Sequence, residues 1–170
     1  MTDYKDTEIE AVAAIATETK SAYEIERNKP MPSKNHAIVQ TNLVVQFAIK
    51  YPKKFRALSE ISIVIEDKER VPDIGIFTKL AYTPGNDDIR VSETPIGVVE
   101  ILSPTQALGD LVTKSVKYFE AGVQSYWLVL SDLKTIFVFN QPAEHEVYSK
   151  KQQLVDTVLD IKLELVDIFK

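Results

Sequence analysis

The spacing of apolar residues changes several times along this chain, and each spacing predicts a different element. Thr7–Thr17 carries apolar residues at a helical spacing, and a second apolar-rich stretch begins after Ser33, a suitable N-cap, and ends near Lys50. Asp110–Ala121 has the helical spacing again and is followed by Gly122, the residue type that most often closes a helix. The pattern therefore predicts three helices.

Other segments are rich in β-branched and aromatic residues, which is typical of strands. Glu60–Glu66 (EISIVIE) and Val71–Phe77 (VPDIGIF) flank the charged segment Glu66–Arg70, and this arrangement predicts a β-hairpin. Pro95–Leu102 (PIGVVEIL) is almost continuously apolar, as expected of a strand buried on both faces. Four more extended segments are predicted at Tyr126–Leu130, Thr135–Asn140, Glu146–Lys150 and Ile161–Leu165. This order predicts an α/β domain with a central mixed β-sheet of about four to six strands, flanked by helices.

Composition narrows the class of protein. The chain has no cysteine and two histidines, which excludes disulfides, thiolate zinc sites and a cysteine nucleophile, so a bound metal would need mainly oxygen ligands. The net charge of −5 argues against a surface that coats nucleic acid, although it allows a small basic groove. No apolar stretch is long enough to span a bilayer, and Met1–Glu10 is unlike a signal peptide, so we expect a cytoplasmic protein without membrane contact.

Two carboxylates lie inside the apolar strand segments. Asp73 stands in VPDIGIF and Glu100 in PIGVVEIL, and burying a carboxylate costs free energy unless it is paired or bound to a metal. If the two strands pair, both side chains can point to the same place, where a cation would relieve their repulsion. The sequence therefore predicts a divalent metal held by oxygen ligands, which favours Mg²⁺, Mn²⁺ or Ca²⁺.

The helix after Glu100 supplies a lysine. Asp110, Lys114 and Lys117 are spaced i, i+4 and i+7, which places them on one helical face. Lys114 can then reach back toward the carboxylates, where its ammonium group would position a water or offset charge in a transition state. The alternative is a solvent-facing Lys114 paired with Asp110. Asp73, Glu100 and Lys114 with one divalent metal are the minimum set for metal-assisted phosphodiester hydrolysis.

These residues also resemble a known family. Pro72–Asp73, followed by Glu100 on a core strand and a nearby lysine, resembles the PD-(D/E)XK nuclease superfamily. Val98–Leu130 is similar to the Uma-two family of restriction-endonuclease-like proteins, whose pattern is matched at Glu100, Ser103, Pro104, Asp110, Lys114, Tyr118, Gly122, Val123, Tyr126 and Trp127. The superfamily's lysine, two residues after the glutamate, is replaced here by Leu102. The resemblance implies that Lys114 takes its role.

The resemblance implies a PD-(D/E)XK nuclease-like domain with a restriction-endonuclease-like core over residues 21–170, preceded by an N-terminal helical extension over residues 1–20. The activity it implies is that of a Mg²⁺-dependent endodeoxyribonuclease. Asp73, Glu100 and the backbone carbonyl of Ile101 would hold the metal, and Lys114 would orient or help to deprotonate the attacking water. Five further residues are candidates for the edge of the site: His36, Glu24, Glu26, Ser103 and Asp110. Phosphate contacts are predicted at Lys117, Lys53, Lys54 and Arg56.

Two other functions stay open. The first is a catalytically weak or inactive nuclease-fold module that binds nucleic acid or a protein partner, which the displaced lysine and the negative net charge favour. The second is a metal-dependent phosphodiesterase that acts on a small nucleotide. Because one metal site per chain cuts a duplex most easily as a symmetric pair, we also expect a homodimer. Its interface would use apolar residues of Thr7–Thr17, Tyr126–Leu130 and Thr135–Asn140.

Overall fold

The computed structural model describes residues 31–170, so the predicted helix Thr7–Thr17 and the extension 1–20 lie outside the described residues. The described part contains helices α1 (Lys34–Lys50), α2 (Leu108–Glu120) and α3 (Leu165–Ile168), with a 3-10 turn at Ser131–Leu133. Its strands are β1 (Arg56–Ser59), β2 (Ile63–Ile65), β3 (Lys68–Arg70), β4 (Ile74–Phe77), β5 (Gly97–Ile101), β6 (Ser125–Leu130), β7 (Thr135–Gln141), β8 (Glu144–Ser149), β9 (Gln153–Asp156) and β10 (Ile161–Glu164). Among residues 31–170, none of the helices has both the length and the hydropathy that crossing a bilayer requires.

Six of these strands form one mixed sheet, in the order β1-β4-β5-β6-β7-β8. β5 and β6 are parallel, and every other pair of neighbours is antiparallel. α2 forms the connection between the two parallel strands, as a crossover helix usually does. The predicted mixed α/β sheet flanked by helices is therefore confirmed. β2 with β3, and β9 with β10, form separate two-stranded sheets.

The sheet carries an apolar core on each face. On one face, Val39, Leu43 and Phe47 of α1 belong to the same buried cluster as Ile74 of β4 and Val99 of β5. On the other face, Leu111 and Tyr118 of α2 share a cluster with Phe77, Val98 and Ile63. All five residues of β5 are buried, which agrees with its continuous apolar run. β4 and β5 thus lie between two helical layers.

The predicted hairpin between Glu60–Glu66 and Val71–Phe77 is wrong. Glu66 and Asp67 both have positive φ, 49° and 59°, and such a two-residue turn reverses the chain at once. Ile65 therefore pairs with Lys68, and the segment predicted as a turn becomes β3. β4 pairs instead with β1 and β5, because a strand buried on both faces needs a neighbour along each edge.

Two further expectations change. α2 begins at Leu108 rather than at Asp110. β6 and β7 are interior strands of the sheet, so most of their apolar side chains are buried inside the chain and do not supply a dimer interface. The two predicted helix ends are confirmed: Ser33 caps α1, and Gly122, with φ of +98°, follows α2.

Candidate active site

Asp73 and Glu100 stand opposite each other at one end of the β4–β5 pair. In that antiparallel pair, Ile74 lies opposite Val99. Asp73 directly precedes Ile74 and Glu100 directly follows Val99, so the same register places the two acids across from one another. Residues opposite each other share a sheet face. Each acid is 1% exposed, so the sheet holds two carboxylates on neighbouring strands and away from water, as the sequence predicts.

Asp73 is anchored by several groups. Its Oδ2 accepts a hydrogen bond of 2.6 Å from the backbone N–H of Ile101, and its Oδ1 lies 3.3 Å from Nε2 of His36. The Gln40 side chain donates to the Asp73 backbone carbonyl at 2.7 Å. Because the N–H and C=O of one strand residue face the same neighbour, the Ile101 carbonyl is directed to the Asp73 side as well. The carboxylate orientation is therefore fixed by backbone and side chain together.

His36 lies buried in the first turn of α1 and faces Asp73. Its backbone N–H donates to the Ser33 side chain, and its Nδ1 lies 3.3 Å from Oγ of Ser103. Its Nε2 is buried and has no hydrogen-bond partner among residues 31–170, although Asp73 Oδ1 is only 3.3 Å away. A buried ring nitrogen that faces a carboxylate without making a hydrogen bond suits a metal ligand.

Glu60 joins this pair from the end of β1. Ligand atoms of His36, Glu60 and Asp73 all lie within 4.8 Å of one another. Protein ligands at about 2.0–2.6 Å from a common Mg²⁺ or Ca²⁺ ion stand at most about 5 Å apart, so the group fits one divalent cation. Glu60 has a φ of +55°, a left-handed conformation that is unfavourable for this residue type, and its N–H donates to the Asp73 carbonyl. The acid is therefore held beside Asp73 at a conformational cost.

Glu100 contacts a different set of side chains. Lys114 Nζ lies 2.5 Å from its Oε1, and the Tyr118 hydroxyl donates to the same oxygen at 2.9 Å. Burial and then the charge of Glu100 raise the pKa of Tyr118 well above its usual range, so the hydroxyl stays protonated and remains a donor. Lys114 thus reaches the carboxylates, as expected, and Asp110 makes no ion pair with any residue of 31–170.

The pKa of Tyr126 depends on both acids. Burial raises the pKa of its hydroxyl, and the negative charges of Glu100 and Asp73 raise it further. That hydroxyl donates to the Leu111 carbonyl at 3.0 Å, on the α2 side of the sheet. The charges of both carboxylates therefore influence the same hydroxyl group, which agrees with their opposite positions in the β4–β5 register.

The sequence model of the Uma2 (Uma-two) family, described as "Putative restriction endonuclease", matches residues 16–166. The chain belongs to the Uma2 family. A crystal structure from Anabaena variabilis ATCC 29413, described as that of "a putative nuclease belonging to DUF820", is similar to it with a TM-score of 0.69 and 27% sequence identity over 83% of each chain. Comparison with curated proteins gives no match.

The other predicted edge residues of this Uma2 protein are only partly brought together. Ser103 lies beside His36. Asp110 is exposed in the first turn of α2, and the structure shows no hydrogen bond from its side chain to a described residue of the carboxylate cluster. Glu24 and Glu26 lie outside the described residues.

The basic residues predicted to contact phosphate lie apart from the carboxylates. Lys117 pairs with Glu120 at 2.6 Å, and Lys54 pairs with Asp160 at 3.0 Å. Lys53 and Arg56 line a cavity at the end of β1 that is farther from Glu60. Two of the four cations therefore already have acidic partners, and the other two belong to a separate surface.

A third buried carboxylate of the Uma2 chain shows what a structural acid looks like. Asp156 accepts hydrogen bonds from Ser125, Trp127 and the backbone N–H groups of Val158 and Leu159. These donors surround the carboxylate and fasten β9 and the following turn to β6. The Asp73 carboxylate, by contrast, accepts a hydrogen bond from the Ile101 N–H and also lies beside the second acid Glu60 and beside His36 Nε2. That nitrogen makes no hydrogen bond with residues 31–170. This arrangement suits ion binding better than structural support.

Sequence reasoning missed two contributors to the site. Glu60 is the first residue of the segment EISIVIE, which is predicted as a strand, and nothing in that segment indicates that the residue follows a different, shorter strand. Tyr118 matches the family pattern but is not among the predicted site residues; in the structure it is buried and its hydroxyl donates to Glu100. An acid directly before an apolar run is the only signal that pointed to Glu60.

Proposed function

We propose that this chain is a divalent-metal-dependent endonuclease that hydrolyses DNA phosphodiester bonds. The observation that carries the proposal is the cluster of buried His36 and Asp73 with half-buried Glu60, in which Asp73 lies across the β4–β5 pair from the Lys114-bound Glu100. Membership in a family described as "Putative restriction endonuclease" supports the same reaction.

Asp73 is the central ligand of the proposed metal site. Glu60 and His36 lie beside it at the ends of β1 and α1, and Glu100 and the Ile101 carbonyl belong to the neighbouring strand β5. The donors fit a cation, because neighbouring acids repel one another and because His36 Nε2 has no hydrogen-bond partner among residues 31–170. If Nδ1–H of His36 donates to Ser103, the lone pair on Nε2 faces Asp73.

The donor set selects among divalent ions. Carboxylate and carbonyl oxygens suit both Mg²⁺ and Mn²⁺, whereas an imidazole nitrogen is a poorer ligand for Mg²⁺ than for transition metals. We propose Mg²⁺ as the cofactor because most of the donors are oxygen atoms. Mn²⁺ should support at least equal activity because the His36 nitrogen is a better ligand for it.

The proposed mechanism is attack of water on the scissile phosphorus. The new bond joins the water oxygen to phosphorus, the ester bond to the leaving oxygen breaks, and the water proton passes to solvent while the leaving oxygen is protonated. When bound, the divalent cation supplies Lewis acidity that acidifies water and offsets phosphate charge. Lys114 orients the water and stabilises negative charge on the phosphate, while Glu100 and Tyr118 fix the position of its ammonium group.

The test is a cleavage assay on duplex DNA, single-stranded DNA, RNA and a small nucleotide phosphodiester, with Mg²⁺, Mn²⁺ or EDTA. We expect DNA cleavage with either metal and none with EDTA. Asp73→Asn should abolish it while the circular dichroism spectrum stays unchanged. Asp110→Asn, the same change at an exposed acid, is the matched control and should retain cleavage. Cleavage that survives Asp73→Asn would assign the activity to another site or to a contaminant.

The alternative is a module that keeps the fold but binds nucleic acid or a protein without cutting. It is favoured by the direct contact of Lys114 with Glu100, since a lysine held in an ion pair is less able to act on water. This alternative predicts that the protein binds DNA but gives no cleavage with either Mg²⁺ or Mn²⁺. Cleavage of the small phosphodiester alone would favour the small-nucleotide phosphodiesterase instead.

We also propose that the chain acts as a homodimer whose two sites open to a common groove. α1 exposes Ile38, Val45 and Ile49, which are spaced along one side of the helix and remain available for an interface. A stable interface buries at least about 1,000 Å² in total. Light scattering at micromolar concentration should give twice the mass of the 19.2 kDa chain, and a monomer mass would contradict the dimer.

A further inference from the structure

A cationic cleft lies where β1 begins and β4 ends. Lys53, Arg56 and Lys79 line a cavity of about 310 Å³ together with apolar side chains that include Phe55 and Leu80. The described residues that line it include no acid. None of the three cations forms an ion pair with another residue of 31–170. The cleft is therefore positively charged.

Some other cations near the sheet have acidic partners. Lys54 pairs with Asp160, Arg90 with Glu69, and Lys117 with Glu120. The cleft instead brings three cations together in one cavity whose described lining residues include no acid. Their mutual repulsion costs free energy, and a bound anion would relieve it.

The position of the cleft relates it to the carboxylate cluster. Arg56 lies opposite Phe77 at one end of the β1–β4 pair, and Ser59, which precedes Glu60, lies opposite Ile74 at the other end. Since a strand rises about 3.3 Å per residue, Arg56 stands about 13 Å along β1 from Glu60. β1 is an edge strand of the six-stranded sheet, so a ligand can lie along it.

We propose that this cleft binds the backbone phosphates of the nucleic-acid strand that is cut beside Asp73. This rests on the proposed endonuclease function and adds a length requirement to it. A stacked strand advances about 3.4 Å per nucleotide, so the cleft is about four nucleotides from the cut. Substrates that extend fewer than about four nucleotides on that side miss the three cations and are cut slowly.

The first experiment measures binding without cleavage. Fluorescence anisotropy of a labelled DNA duplex is recorded in EDTA over a range of salt for Asp73→Asn, and for the same protein carrying Lys53→Gln, Arg56→Gln and Lys79→Gln. Loss of three phosphate contacts should lower the slope of log affinity against log salt by about 2 to 3. The control carries Lys134→Gln, Lys150→Gln and Lys151→Gln, which remove the same charge near the opposite sheet edge. An equal loss of slope in this control would overturn the proposal.

The second experiment separates the cleft from the metal site. This experiment uses a variant with an intact Asp73 that carries only Lys53→Gln, Arg56→Gln and Lys79→Gln. Bis(4-nitrophenyl) phosphate is a phosphodiester without flanking nucleotides, so its hydrolysis should be unchanged in this variant while cleavage of a long DNA falls at least tenfold. For the unaltered protein, a series of shortened DNA substrates should show the rate dropping once the strand no longer reaches the cleft. DNA cleavage that is equal in both proteins would overturn the cleft and leave the nuclease intact. An unaltered protein that cleaves neither substrate would overturn the nuclease itself, and absence of DNA binding would overturn both.

Discussion

Replacing Lys114 by methionine should destabilise the folded protein and abolish cleavage for two separable reasons. The change leaves Glu100, buried and bonded to Lys114 Nζ at 2.5 Å, without its cationic partner. Breaking a fully buried ion pair by removing one partner costs about 3–5 kcal/mol. The Lys114 side chain is 26% exposed and Tyr118 still donates to Glu100, so water compensates part of the loss, and we expect about 1.5–3 kcal/mol.

A double-mutant cycle tests this reasoning. Glu100→Gln combined with Lys114→Met removes both charges, so no carboxylate is left buried and unpaired. The double variant should be more stable than the sum of the two single changes predicts, with a coupling free energy of about 1–2 kcal/mol. Urea unfolding of the metal-free proteins near neutral pH gives these free energies. Additive changes, within about 0.5 kcal/mol, would refute the coupling.

Catalysis should not follow stability through this cycle. Lys114→Met removes the group that we propose orients water and stabilises charge, so cleavage should fall by about 10²–10⁴-fold, and the double variant should stay inactive although its stability recovers. Lys117→Met is the control on the same helix. Lys117 pairs with Glu120 in solvent, and such pairs contribute about 0–1 kcal/mol, so stability and cleavage should change little.

Three further predictions follow from the same cluster. His36→Gln should lower the affinity for Mn²⁺ more than that for Mg²⁺, which calorimetric titration measures, and an equal loss for both ions would exclude the ring nitrogen as a ligand. Glu60→Gln should weaken metal binding while the apo protein stays folded, and unchanged affinity would remove Glu60 from the ligand set. Because the pKa of Tyr118 is raised in the folded state, stability is fully present below about pH 10 and falls above it, by up to about 1.4 kcal/mol per pH unit. Tyr118→Phe should remove this part of the slope in urea unfolding between about pH 9 and pH 11, and an unchanged slope would contradict the buried-donor role.

The strands that carry Asp73 and Glu100 were predictable because each is a short apolar run that contains one acid. That pattern indicates burial on both faces, and it makes the acid stand out. Helical spacing allows Lys114 to reach the carboxylates, but it leaves open a solvent-facing Lys114 paired with Asp110. The resemblance to the Uma-two family then joined these three positions, which are far apart in sequence, into one site.

The partner of β4 was not predictable in the same way. β1 has only four residues, with the sequence RALS, and nothing in it resembles a strand next to a buried acid. The turn at Glu66–Asp67 has positive φ at both residues, although hairpin turns of this kind usually use Asn or Gly. With no turn signal there, the shorter hairpin of β2 and β3 could not be distinguished from the longer one. Glu60, whose position depends on β1, was missed for the same reason.

The site exists because chain ends of opposite direction meet at one end of the sheet. Asp73 begins β4, Glu100 stands near the end of β5, and Glu60 follows the end of β1, so the antiparallel pairing of β4 with both neighbours gathers three acids from three strands. α1 then adds His36 to the group from one face, and α2 adds Lys114 and Tyr118 from the other. A buried acid costs free energy, and the hydrogen bonds from Ile101 and Tyr118 together with the Lys114 ammonium group offset part of that cost. A cation would also relieve repulsion among the three acids, and ion binding to the folded state would in turn stabilise the fold. The gathering of acids that is costly in the apo protein is therefore the feature on which the proposed metal-dependent hydrolysis depends.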